Sequence, residues 1–495
     1  MYGNFPSPEP ESGQKKVIIE FSSPNIVGEF TAAHLRSTIL GAFVANIYEA
    51  MGFSVVRVNY LGDWGKNLAL LGVGWQKYGL EEVLNEKSHL LRYIHDLYLK
   101  MEDELRPEQE MRKQARDSGQ DISVLESQGL FAERDTAFKK IEDGEPEVIA
   151  LWKKLRATSI EYYVEMYERL NIKFDEYSGE SQVCLKPKAV AEVESILHEK
   201  DICEKQNGAW VIDFDKHGGR GSAAIRDRSG CTTYLLRDIA TVFDRLNTHS
   251  FDKMVYVVCE QEVHFRQVIK AVELMGRVDV ANKLQHITFA RPSSHPENAH
   301  LLGDVLDQCE KHMRDVMATS IDKYQIENYD AIGKGMGIHS LVIQELSSRK
   351  GHCNGLDFNN LTLLEGDIST SLQLCYGRLC SAIATIRAHT RSEEIPYIDY
   401  AALFEARWSE LLRLMARYPD TTRSAFRTFE PGRIVSYLSR VVELLTGCLD
   451  AVEEESDEEG YATVSKYMAR AALYENVRQV LENGMKLLGT TPIRT

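Results

Sequence analysis

No two of the nine cysteines form a C-x-x-C pair, and their number is odd. Cys184, Cys203, Cys231, Cys259, Cys309, Cys353, Cys375, Cys380 and Cys448 are scattered. That excludes a disulfide framework or a cysteine-based zinc site and fits reduced thiols inside a cell, with no metal expected. No apolar run has membrane length, and the start, MYGNFPSPEPESGQ, lacks the charged-then-apolar order of a secretory signal. A cytoplasmic location without a membrane partner is expected. Positive charge is scarce too. A formal charge of −16 argues against a general basic coat, which leaves DNA out and confines any RNA contact to one local face. Lysine is absent from 351–465, although ten arginines lie there.

What is present is ordinary globular material: 495 residues, 43% hydrophobic, give a soft expectation of two to four domains. The stretch VIIEFSSPNIVGEFTAAHLRSTIL (17–40) organises the rest. It reads as a short apolar strand over 17–20, a polar turn with Pro24, Asn25 and Gly28, and then a helix. Apolar residues Leu35, Ile39, Leu40, Phe43, Val44, Ile47, Tyr48 and Met51 recur at helical spacing. A second strand over 54–62 completes a βαβ unit, whose turn lies where open parallel sheets bind small ligands.

Residues 1–15 read as a disordered tail, 16–75 as the first half of a Rossmann-type domain and 76–220 as a mostly helical insertion or connective region. Strands are expected over 172–179 and 209–214. From 221 to 310 the alternation returns, with strands over 232–236, 253–258 and 286–289, a helix from Asp238 and another over 262–275. Two halves of one sheet, split by an insertion, is the architecture this order predicts. From 311 to 495 the pattern is helical, as in IVSYLSRVVELLTGCL (434–449), and predicts a bundle. The acidic run EEESDEE (453–459) reads as a solvated loop.

Several segments then carry a resemblance. VIIEFSSPN, HLRST, NYLGDWG, YSGESQV, TTYLLRD, SFDKMVYVV, LQHITF and ENGMKLLGTTPIRT are similar, in that order, to eukaryotic cytosolic arginyl-tRNA synthetases. The resemblance runs from Lys16 onward and lacks the family's N-terminal domain. It implies an α/β plus all-α protein: a class I synthetase Rossmann domain followed by a helical anticodon-binding domain. It implies that Glu20 and Asn25 hold the amino and carboxyl end of arginine, that Tyr234 and Asp238 line the side-chain pocket, and that Gln261 completes it. A guanidinium calls for a planar carboxylate partner, and Tyr234 and Asp238 share a helix face if a helix begins there. Asp238 as an N-cap or first-turn acid of its own helix is the alternative. Arg378, Arg433 and Arg440 are the expected tRNA contacts, against the alternative of solvated charges in local ion pairs.

The ATP signatures depart from the family. Its His-x-Gly-His element reads Thr31, Ala32, Ala33, His34, so only the last histidine remains. Its lysine-bearing loop is replaced by ARPSSHPENAH (290–300), and 292–310 holds neither Lys nor Arg. The lysine that compensates in some relatives is here Gly28. His295 and His300 are weak substitutes. Losing one preorganised transition-state donor typically costs about 100- to 1000-fold, so efficient adenylation is not expected. An arginyl-tRNA-dependent aminoacyl transferase, analogous to cyclodipeptide synthases, is the leading expectation. It takes arginine from arginyl-tRNA to an unidentified acyl acceptor and needs no cofactor. Its candidate catalytic residues are Ser22, Ser23 and Thr31, with His34 as base or oxyanion partner, and Cys259 beside them. A working arginine-tRNA ligase that uses ATP, and a non-catalytic arginine or tRNA binder, are the alternatives. DISTSLQLCYGRL (367–379) also departs from the family near the tRNA end.

Overall fold

In a computed structural model the described residues are 14–493 apart from 29, 81–86, 293–300, 319–328, 352–367, 391–397, 399 and 455–460. The tail over 1–13, His295, His300, Asp367 and most of the acidic run therefore lie outside them.

Five parallel strands form the main sheet: β1 (Lys16–Glu20), β2 (Ser54–Leu61), β3 (Glu176–Gly179), β7 (Lys253–Val257) and β8 (Leu284–Ile287), in the order β3-β2-β1-β7-β8. Val17, Ile18 and Ile19 are fully buried, as a central parallel strand covered on both faces requires. The chain runs outward from β1 through β2 to β3, then returns to the other side of β1 with β7 and β8. The order reverses between β1 and β7, and their carboxyl ends open the crevice in which such sheets bind ligands.

Helix α1 (Ala32–Ala50) crosses from β1 to β2 and is buried on nearly every face. Gly41 allows its close approach, because a Cβ there would lie 2.2 Å from the Phe21 side chain. The connection from β2 to β3 holds α2 (Lys66–Tyr78), α3 (Lys87–Asp117), α4 (Ser123–Glu126), α5 (Gly129–Glu142) and α6 (Pro146–Arg169). After β3 come α7 (Glu180–Cys184) and α8 (Pro187–Glu199).

The expectation of one split sheet is corrected at residues 209–214. That strand, β5 (Ala209–Asp213), pairs antiparallel with β4 (Glu204–Gln206) and β6 (Ser222–Arg226) in a separate three-stranded sheet. The strand expected over 232–236 is also not formed. Thr233 is extended, its hydroxyl donates to the carbonyl of Ala224 at 2.5 Å, and α9 (Tyr234–His249) starts immediately after it. Between β7 and β8 lie α10 (Glu262–Leu274) and α11 (Val278–Ala281).

The rest is helical, as the periodicity predicts: α12 (Leu302–Ala318), α13 (Tyr329–Ser347), α14 (Ile368–Thr390), α15 (Ala406–Ala416), α16 (Tyr418–Thr428), α17 (Gly432–Glu454) and α18 (Tyr461–Leu487). Arg36 of α1 is fully buried against this part. Its Nη1 donates to the carbonyl and carboxylate of Glu345, and its Nη2 to the carbonyl of Arg349. Beyond β8, the Ala290 N–H donates to the carbonyl of Lys350 at 2.7 Å. No helix among the described residues is long and apolar enough to cross a membrane.

Candidate active site

A cavity of about 460 Å³ opens at the carboxyl ends of β1 and β7, a size suited to a small-molecule ligand. Its rim begins with a strained turn. Ser22 and Ser23 have φ of 70° and 50°, the left-handed region that non-glycine residues enter only when neighbours hold them there. The Ser22 N–H donates to Ser37 Oγ at 3.0 Å, Ser37 Oγ donates to the Val257 carbonyl at 2.6 Å, and the Ser23 N–H donates to Asn59 Oδ1 at 3.2 Å. These bonds tie the end of β1 to α1, β7 and β2 together.

Three carboxylates line the cavity: Glu20, Glu180 and Asp238. Glu20 is buried and bonded to Arg245, reached from 225 residues away. Burial raises its carboxyl above the usual range, against the pull of Arg245. Glu180 is buried beside Arg237, with Nε to Oε2 at 2.9 Å, yet neither atom makes an aligned hydrogen bond. Burial pushes this carboxyl up to about 8, partly offset by Arg237. Asp238 meets His264, with Nε2 to Oδ2 at 2.6 Å. Burial opposes a charged imidazole there, but Asp238, Glu180 and Glu20 together raise the His264 pKa.

The structure brings most of the expected arginine-binding residues together. Tyr234 and Asp238 stand on one face of α9 and line the cavity with Glu20 and Gln261, the residue preceding α10. Asp238 is the fifth residue of its helix, past the cap, so the N-cap alternative falls to Thr233. Asn25 is not among the lining residues. Its Oδ1 accepts from the Val27 N–H at 3.1 Å and its backbone bridges Gly62, so it shapes its own turn.

The expected catalytic hydroxyls of Ser22, Ser23 and Thr31 line the cavity together with His34, each in a different hydrogen-bond setting. Ser22 is 2% exposed, lies 2.6 Å from the Tyr167 hydroxyl and accepts from Thr38 Oγ1 at 2.7 Å. Ser22 lines the cavity, and those bonds hold its hydroxyl between Tyr167 and Thr38. Ser23 is half-buried on the lining, with a 3.5 Å contact to the Phe21 carbonyl. Thr31 caps α1: Oγ1 accepts from the His34 N–H, while the Thr31 N–H donates to His34 Nδ1 at 3.0 Å. An Nδ1 that accepts carries no proton, so the neutral ring bears it on Nε2. His34 Nε2–H is thereby left as a donor, the arrangement an oxyanion partner needs. Cys259 also lines the cavity.

Sequence reasoning singled out neither Glu180 nor His264, nor the partners Arg237 and Arg245. Glu180 and Arg237 sat inside quoted segments, YSGESQV and TTYLLRD, and His264 stands three residues after Gln261. It also passed over Arg291. This is the lining cation among the described residues, 70% exposed and 3.2 Å from Glu260. The expected tRNA contacts differ from one another. Arg378 pairs with Asp450, Arg440 pairs with Glu410 and Glu443, and Arg433 is exposed at the start of α17. Among the described residues no cluster of three or more His, Cys, Asp or Glu is set to hold a metal.

Comparison with known proteins gives the class first. Residues 8–358 match the family described as tRNA synthetases class I (R), catalytic domain, and residues 372–495 match the DALR anticodon binding domain. This chain belongs to the arginine-specific class I aminoacyl-tRNA synthetase family. It is 36% identical to the cytoplasmic arginine–tRNA ligase of Saccharomyces cerevisiae, over 97% of this chain and 76% of that one. A probable cytoplasmic arginine–tRNA ligase of Schizosaccharomyces pombe is 37% identical, over 98% and 78%. A probable mitochondrial arginine–tRNA ligase of Homo sapiens is 33% identical, over 97% and 78%. Its relatives are thus named for both compartments. The fold is that of the arginyl-tRNA synthetase of Plasmodium falciparum, with a TM-score of 0.74 at 19% identity over 98% of this chain and 78% of that one. The Thermus thermophilus enzyme gives 0.74 at 17%, over 99% and 84%.

Proposed function

We propose that this protein binds arginine and tRNA(Arg), and that it is an aminoacyl transferase using arginyl-tRNA as the acyl donor. The observation that carries this reading is the start of α1. Where the family has a histidine, Thr31 and His34 close a capping box on their own helix, and Arg291, already beside Glu260, is the one Lys or Arg among the described lining residues. Among the described residues an ATP triphosphate therefore finds little positive charge on this rim. An arginyl ester needs no such charge. The acceptor's amine attacks the ester carbonyl, the developing oxyanion takes a hydrogen bond from His34 Nε2–H, the carbon–oxygen bond to the terminal ribose breaks, and the amine's proton leaves as the ribose hydroxyl regains one. The product is an arginyl amide, such as a dipeptide.

The names of the relatives support the alternative, a working arginine–tRNA ligase, better than the transferase, and Arg291 lies on the cavity where a phosphate contact would be useful. Cytoplasmic action is part of the proposal, as is an acceptor of the amine class. The discriminating experiment has two arms with the purified protein. Arginine-dependent ATP–pyrophosphate exchange is expected to be negligible. Pre-charged arginyl-tRNA with an amino-acid pool is expected to yield a new arginine-containing product by mass spectrometry. Robust exchange would move the conclusion to the ligase, and inertness in both arms to a binding protein.

A further inference from the structure

We infer that His264 is the counter-cation that an incoming guanidinium displaces at Asp238, so that arginine binds with the loss of one proton from the Asp238–His264 pair. This deepens the reading of the cavity as an arginine site and rests on it.

The three lining carboxylates are not equivalent. Glu20 and Glu180 each have an arginine as partner, Arg245 and Arg237, and these four side chains are 9% exposed or less. An arginine does not discharge at any ordinary pH. Asp238 alone of the three is paired with a group that can lose its charge, and that pair is open to the cavity, with His264 25% and Asp238 19% exposed. Asp238 is therefore the carboxylate a ligand reaches first. With His264 protonated, Asp238 already has its own cation, as Glu20 and Glu180 have theirs in Arg245 and Arg237. A guanidinium entering this arrangement brings a further positive charge, and release of the His264 proton leaves Asp238 to the ligand.

The groups that face His264 from every side support this. From α9 come Tyr234, Arg237, Asp238 and Arg245, from β1 Glu20 and from α7 Glu180. His286 of β8 and Glu262 of its own helix are neighbours, with Cys259 and Arg291 at the rim. Tyr60 of β2 and Tyr256 of β7 stay neutral, since burial pushes their hydroxyls well up. The carboxylates favour a charged His264 in the empty site, whereas burial and His286 oppose it. Glu180, whose own carboxyl is pushed up to about 8, is the other possible proton source, and the test separates the two.

The test is calorimetric titration of the full chain with free L-arginine between pH 5.5 and 8.5, in two buffers of different ionisation enthalpy. Affinity is expected to rise by about tenfold per pH unit on the acid side of the His264 titration and to level off above it, with about one proton released per arginine on that acid side. His264→Gln keeps a donor to Asp238 without the charge, so it is expected to bind arginine more tightly than the native protein at pH 5.5, with neither slope nor proton release. Native protein that binds arginine without releasing a proton overturns the inference. So does an unchanged slope in His264→Gln, or release that survives there and vanishes in Glu180→Gln. Failure of the native protein to bind arginine at any pH would remove the arginine site itself, and this inference with it.

Discussion

Arg36 of α1 and Glu345 of α13, 309 residues apart in sequence, form a buried ion pair 3.0 Å across, two residues of chain beyond His34 at the start of α1. Both side chains are at most 3% exposed. Removing one partner strands a charge without water, and Glu345→Ala or Arg36→Ala is expected to cost about 3–5 kcal/mol in chemical denaturation. A double replacement by Met and Leu is expected to recover much of that loss. A double variant no more stable than either single one would mean that the hydrogen bonds to the Glu345 and Arg349 carbonyls, not the charge pair, hold the contact.

The hydroxyls around the turn make separable predictions. Ser22→Ala loses its partners Tyr167 and Thr38 in a buried place and is expected to lose about 1–3 kcal/mol of stability while activity per folded molecule persists. Thr31→Ala removes a helix cap and is expected to cost about 1 kcal/mol, with Thr31→Ser close to the native protein. Thermal melts and product formation, measured on the same samples, check both. Abolished activity in a fully folded Ser22→Ala protein would return that serine to the chemistry.

Acid sensitivity has a specific source in α13. His339 is 5% exposed, Gln373 donates to its Nδ1 at 3.2 Å, and burial pushes its pKa down to about 4. The unfolded chain takes up this proton near pH 6.5 and the folded one does not until about pH 4. Stability from His339 is therefore complete above pH 6.5, declines as pH falls toward 4 and then levels, a loss of about 3 kcal/mol. His339→Gln is expected to flatten that part of the denaturation profile between pH 7 and 4.5. An equally steep profile in the variant would place the titration elsewhere.

How much of this was legible in the sequence follows from the range of the interactions. The βαβ opening, the helix expected over 262–275 and the helical C-terminal half rest on local periodicity and formed, whereas the helix expected from Asp238 begins at Tyr234. The pair Tyr234 and Asp238 was readable because both lie on one helix. The misplaced strand at 232–236 shows the limit: TTYLL is β-branched and aromatic, yet a bond from Thr233 to Ala224 of another strand decides that a helix starts there. The sheet of β4, β5 and β6 hid for a similar reason, since a short strand does not announce which partner it pairs with. The site's electrostatics were beyond reach. Glu20 with Arg245, Glu180 with Arg237 and Asp238 with His264 are separated by 225, 57 and 26 residues of chain (245 − 20, 237 − 180, 264 − 238).

One contact also bears on how this protein can be cut. The match to the catalytic domain ends at residue 358, but Ala290, next to Arg291 on the cavity rim, hangs from the carbonyl of Lys350, and the Lys350 ammonium in turn donates to the carbonyl of Thr428 at 2.6 Å. The two matched regions are therefore joined through Lys350. A fragment ending at 358 would keep every residue lining the cavity and the Ala290–Lys350 bond, but lose the Thr428 carbonyl that holds the Lys350 side chain.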